Sequence, residues 1–151
     1  MQFCGDWRVD AVRRRDLLKI PKWCNNPIGV NLVDMSERID GYYVIRPDYA
    51  NRPDYTNGTL VPYENWAISD FIKVNPGETY RYQNQLPGQS GWGLCATYDM
   101  DKADLGPLGR KVYSGRDETF TIPAGVYYIQ LDLGPTSEID AGGVVTLERI
   151  S

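Results

Sequence analysis

The chain has 151 residues, 42% of them hydrophobic and 24% charged, with a formal net charge of −4. That is enough apolar material for one packed domain plus a short appendage, and it argues against a disordered chain. The mild acidity argues against general nucleic-acid binding, which needs a surplus of Lys and Arg to neutralise phosphates.

The first 28 residues differ in kind from the rest. They hold six basic and three acidic side chains, a net +3, whereas residues 29–151 hold 10 basic and 17 acidic ones, a net −7. This segment reads as an N-terminal arm. Its helical stretch is residues 10–19 (DAVRRRDLLK), where Ala11 and Leu18 share a face with the stem of Arg15 between them. Asp10 is placed to cap its start and Pro21 to stop it. About ten residues make a helix that is marginal alone and needs a surface to dock on. Phe3, Trp7, Arg13, Arg14, Leu17, Leu18 and Trp23 are the candidate assembly and anchoring residues. The segment lacks an uninterrupted apolar stretch, so no cleaved secretory signal is expected. No apolar run anywhere is long enough to span a membrane.

From Asn31 onward the pattern changes to short apolar runs punctuated by Gly, Pro, Asn and Asp. Strands are predicted at 41–45, 67–74, 79–83, 93–98, 118–122, 127–133 and 144–150. Alternation is clearest late in the chain, where Tyr127, Ile129, Leu131 and Leu133 face one way. Ile68, Ile72 and Val74 also keep a period of two, interrupted by Ser69-Asp70. Turns are marked by Asn57-Gly58, Asn75-Pro76-Gly77, Leu86-Pro87-Gly88 and Pro123-Ala124-Gly125. The expected fold class is therefore all-β: a jelly-roll-like β-sandwich over 29–151, with an N-terminal arm (1–28) containing one short helix.

Several of these pieces occur in the order of a known family. They are Asn31-Leu32, then Gly41-Tyr42-Tyr43, then a polar loop over 51–63, then Trp66-Ala67-Ile68-Ser69-Asp70-Phe71-Ile72. Val74-Asn75-Pro76-Gly77-Glu78-Thr79-Tyr80 and Cys95-Ala96-Thr97-Tyr98-Asp99-Met100-Asp101-Lys102 follow. Thr119-Phe120-Thr121-Ile122-Pro123-Ala124-Gly125 then leads into Tyr127-Tyr128-Ile129. The set resembles the carbohydrate-binding-module-like jelly-roll domain of bacteriophage tail, baseplate and fibre proteins, over residues 31–150. The resemblance implies a virion component, made in the host cytoplasm, that assembles with itself, often as a homotrimer. It implies contacts with other virion proteins through the arm and, in some members, recognition of a host-surface glycan. It does not reach residues 1–28, and the stretch 46–64 is long beside the family pattern.

The residues themselves offer binding chemistry and little else. Sugar recognition needs flat aromatic faces beside polar groups, and the chain has 4 Trp and 11 Tyr against 3 Phe. Tyr49, Tyr55 and Tyr63 lie in or beside the polar loop, and Trp92 sits between two glycines; these are the candidate glycan contacts. The same residues would equally serve a contact with a neighbouring subunit, or pin the loop to its own domain. Trp66, Phe71, Tyr80 and Tyr127 read as core or core edge. Asp70 reads as a buried structural carboxylate accepting backbone or hydroxyl hydrogen bonds. Asp99, Asp101 and Asp104 resemble a calcium loop, but its Gly and closing Glu are missing, so the stretch reads as a hairpin turn.

With no His in the chain, Ser-His and Cys-His catalytic arrangements are ruled out, and no nucleotide-binding or nucleophile-elbow motif is present. Cys4, Cys24 and Cys95 show no CxxC spacing. Reduced thiols are the plain reading, with a single Cys4–Cys24 bridge left open. No enzyme activity, cofactor or metal is expected, and the partners expected are copies of itself, other virion proteins and a glycan, with no nucleic acid and no membrane.

Overall fold

The computed structural model describes residues 25–45, 59–86, 94–108 and 117–151. Their strands are β1 (Ile39–Val44), β2 (Leu60–Ile68), β3 (Ile72–Lys73), β4 (Thr79–Asn84), β5 (Cys95–Tyr98), β6 (Asp104–Leu108), β7 (Asp117–Thr121), β8 (Tyr128–Pro135) and β9 (Val145–Arg149). A 3-10 turn spans Met35–Glu37, and a short helix, α1 (Thr136–Asp140), follows β8. The helix expected over 10–19 lies outside the described residues.

The strands form two antiparallel sheets. The larger runs β1-β2-β8-β5-β6, with β3 also paired to β8, and the smaller runs β7-β4-β9. Residues 28–31 run beside β9 through bridges from Ile28 to Arg149 and from Asn31 to Glu148. The spatial order is thus 28–31, β9, β4 and β7 on one side and β2/β3, β8, β5 and β6 on the other. That is the strand order of a jelly roll, with β1 added at the edge beside β2. The all-β sandwich expected from the sequence is the fold of the described chain.

The interior follows from alternation. Tyr80, Tyr82 and Leu147 of the small sheet and Ile129, Leu131 and Leu133 of β8 are fully buried and share one cluster between the sheets. A second cluster lies on the opposite face of the large sheet, built from Val44, Ile68, Ala96 and Tyr98, with Phe71 and Tyr128 against it. Strand β8 is therefore buried on both faces. Its other face carries the buried polar residues Gln130 and Asp132. The sequence reading of a half-buried strand captured only the apolar half of it.

The predicted strand over 67–74 is two strands. It stops at Ile68 and resumes at Ile72, and both parts pair with β8. Ser69 spans the break: its N–H donates to the Leu131 carbonyl (2.9 Å) and its hydroxyl accepts from the Leu131 N–H (2.8 Å). Asp70 accepts a backbone hydrogen bond, as expected, from the Phe71 N–H (2.7 Å). It is only half-buried, however, and lies in the gap between β2 and β3. The fully buried carboxylate is Asp132 instead. Of the four aromatics read as core, Tyr80 is fully buried, while Trp66, Phe71 and Tyr127 lie at the core's edge.

Candidate functional site

Of the four candidate glycan contacts, Tyr63 alone falls within the described residues; Tyr49, Tyr55 and Trp92 do not, and neither do the anchoring residues Phe3, Trp7, Arg13, Arg14, Leu17, Leu18 and Trp23. Tyr63 is on β2, in a stretch the sequence reading left as loop, and is 52% exposed. Its ring meets Tyr43 at 5.8 Å and Trp66 at 6.1 Å, and Tyr43 meets Trp66 at 6.5 Å, all edge to face. Antiparallel pairing of β1 with β2 brings the three rings together. Trp66 is tied down from inside: its indole N–H donates to Asp132 Oδ1 at 2.6 Å, while Asp132 Oδ2 accepts the Val44 N–H at 2.8 Å. Burial pushes the Asp132 acid well up, against the pull of those two donors.

At another part of the sandwich the structure forms a groove of about 610 Å³, lined by Lys73, Val74, Asn75, Pro76, Met100, Asp101, Tyr127 and Tyr128. One lip is the turn between β3 and β4. Glu78, 3% exposed, fixes it by accepting from the Asn75 N–H (2.6 Å), the Asn26 N–H (3.0 Å) and the Tyr80 hydroxyl (2.8 Å). The other lip is the β5–β6 hairpin tip. There Asp99 Oδ1 accepts from the N–H groups of Asp101 (2.8 Å) and Ala103 (2.9 Å). The tip is the hairpin turn expected from the sequence. Asp104, the third acid of the calcium-like spacing, instead turns to Thr59, whose hydroxyl lies 2.7 Å from its Oδ1.

Lys102 closes the tip in the left-handed region (φ 62°), with its ammonium 4.7 Å from the Phe71 ring centre and 5.1 Å from that of Tyr128. Burial lowers the Lys73 pKa, opposed by the nearby Glu78 carboxylate. The groove thus combines aromatic and thioether surface with one ammonium, one carboxylate and one amide. Sequence reasoning recognised both flanking turns but had no signal that they face each other across Tyr127-Tyr128.

Two further reactive groups among the described residues are shielded. Cys95 is a free thiol, fully buried, and burial pushes its pKa far up, which makes it inert. Burial also pushes the Tyr98 phenol up to about 12, and its hydroxyl donates to Gln130 Oε1 at 2.6 Å. No protein-family model matches the chain, and no curated protein matches it.

Proposed function

We propose that this chain is a non-catalytic structural protein of a bacteriophage virion, a fibre, spike or adaptor component. Its N-terminal segment anchors it to the particle or to sister chains, and its sandwich makes outward contacts. The observation that carries the reading is the order of the family-like segments along a jelly roll. Asn31-Leu32 lies beside β9, Gly41 to Tyr43 on β1, Trp66 to Ile72 across β2 and β3, and Thr79-Tyr80 opens β4. Cys95 to Tyr98 forms β5, Thr119 to Thr121 closes β7, and Tyr128-Ile129 opens β8. A fold alone does not fix a function; the support comes from particular residues recurring in register with that fold.

Light scattering of the full chain beside a fragment of residues 25–151 tests the anchoring role. The expected result is a trimer that becomes a monomer on truncation. Two monomers would overturn self-assembly through the arm. Peptides of this chain are also expected in purified phage particles from its source, and their absence would overturn the virion reading. A second reading, recognition of a host-surface glycan, is favoured by the exposed Tyr63 within its aromatic trio and by the mixed apolar and polar lining of the groove.

A further inference from the structure

The geometry points to the groove between the β3–β4 turn and the β5–β6 hairpin tip as the binding site for an uncharged saccharide. This rests on the glycan reading above and is independent of the virion reading. Size comes first: about 610 Å³ lies within the roughly 300–1,000 Å³ range of small-molecule sites, with room for a short oligosaccharide. The chemistry of the lining comes second. Pro76, Met100 and Tyr127 offer apolar surface to the CH side of a pyranose, and Asp101, with the Asn75 amide that also donates to Asn25 Oδ1 at 3.4 Å, offers hydrogen-bonding groups to its hydroxyls.

Charge then narrows the class. The lining holds one ammonium, Lys73, and one carboxylate, Asp101, and the Lys102 ammonium beside it lies over the Phe71 and Tyr128 rings, so no cluster of like charge marks the groove for an ionic ligand. Pre-organisation is the fourth point. Glu78 fixes one lip from inside, and Asp99 with Lys102 fixes the other, so Met100 is held 63% exposed on a rigid tip. Lips already in place spare a ligand the ordering cost of shaping its site. The Tyr43–Tyr63–Trp66 trio is a weaker host. Its rings engage one another across β1 and β2, and Trp66 is tied inward to Asp132.

Methyl NMR of the full chain labelled at methionine tests this directly, because the chain has three Met and Met100 reports from the groove lip. The probes are glucose, galactose, mannose, N-acetylglucosamine, N-acetylgalactosamine and their short oligomers, with glucuronic and sialic acids for contrast. One or more neutral sugars should shift the Met100 signal saturably while Met35 stays fixed. Asp101→Ala, read at Met100, and Met100→Ala, read by calorimetry because it removes the reporter, should each weaken binding about fivefold or more, the equivalent of one lost contact. Both side chains are exposed and carry no described hydrogen bond, so folding is expected to survive, as the Met35 signal would show. Tyr63→Ala should leave binding unchanged. If neutral sugars bind and only Tyr63→Ala weakens them, the groove assignment is overturned and the glycan reading stands. Binding of acidic sugars alone overturns the uncharged class. If no sugar binds the chain at all, both the groove assignment and the glycan reading fail.

Discussion

Asp132 sits fully buried in the central strand, where both its oxygens accept from N–H donors and no described cation neutralises it. Two hydrogen bonds favour the charged form, but desolvation outweighs them, and the native acid is weaker than an ordinary Asp. An ordinary Asp ionises near pH 4. The stability linked to the Asp132 proton is therefore complete below about pH 4 and is lost as pH rises through the raised native value, at up to about 1.4 kcal/mol per pH unit. Asparagine is neutral at every pH but keeps only one of the two acceptors, so its NH2 faces either the Trp66 or the Val44 N–H. We expect Asp132→Asn to be less stable than the parent by about 1–3 kcal/mol at pH 4, the cost of one unpaired buried donor, and the gap to narrow as pH rises toward 7. Urea unfolding at both values measures it. A parent that gains on the variant as pH rises would contradict the direction of the shift.

At the scale of elements, the gap between β2 and β3 depends on one hydroxyl. Ser69 supplies the acceptor that an unbroken strand would have given to the Leu131 N–H. Ser69→Ala leaves that buried N–H without its partner, and we expect a loss of about 1–3 kcal/mol in urea, with faster hydrogen exchange at Leu131. Such devices explain what was legible in the sequence. β4, β7 and β9 were readable because each alternates cleanly and is bounded by turn residues. β6 was not, because Gly106-Pro107 within it reads as a turn; in the fold these residues lie opposite Thr97 and Ala96 of β5. The first half of β2 was missed because Pro62 to Asn65 are exposed and look like loop. Helix α1 is too short to show a helical period, with Ile139 its one buried residue. Asp132 was invisible because alternation assigns it to the face opposite Leu131 and Leu133, and nothing local says that this face is covered too. Tyr63 is a candidate glycan contact from its place beside a polar loop; that Tyr43 and Trp66 stand beside it comes from strand pairing, which period and composition do not encode.

At the scale of the molecule, residues 25–28 lie against the sandwich although composition groups them with the arm. Asn26 donates its N–H to Glu78 and its amide to the Tyr80 hydroxyl (2.7 Å) and the Lys73 carbonyl (2.6 Å). Its own carbonyl accepts from the Arg149 guanidinium (2.8 Å), which also lies 3.4 Å from Glu78. Four parts of the chain meet at one buried carboxylate. Removing residues 25–28 takes away its Asn26 donor and uncovers the ion pair. A fragment starting at residue 29 should therefore be less stable than one starting at 25, by about 3 kcal/mol. Thermal unfolding of the two fragments measures it, and equal midpoints would show that these residues are passengers.

The same seam has a bearing on how the protein comes into being. Asn31 shares a bridge with Glu148, and its side chain accepts from the Leu147 N–H. During synthesis the first of these partners is made well over a hundred residues before the second. The small sheet cannot close while the ribosome still holds the β9 segment, and until then 28–31 and β4 present unpaired edges. High contact order of this kind makes folding slow and exposes the chain to mispairing with its neighbours. Closure of the β9 strand is thus the step at which correct folding competes with aggregation.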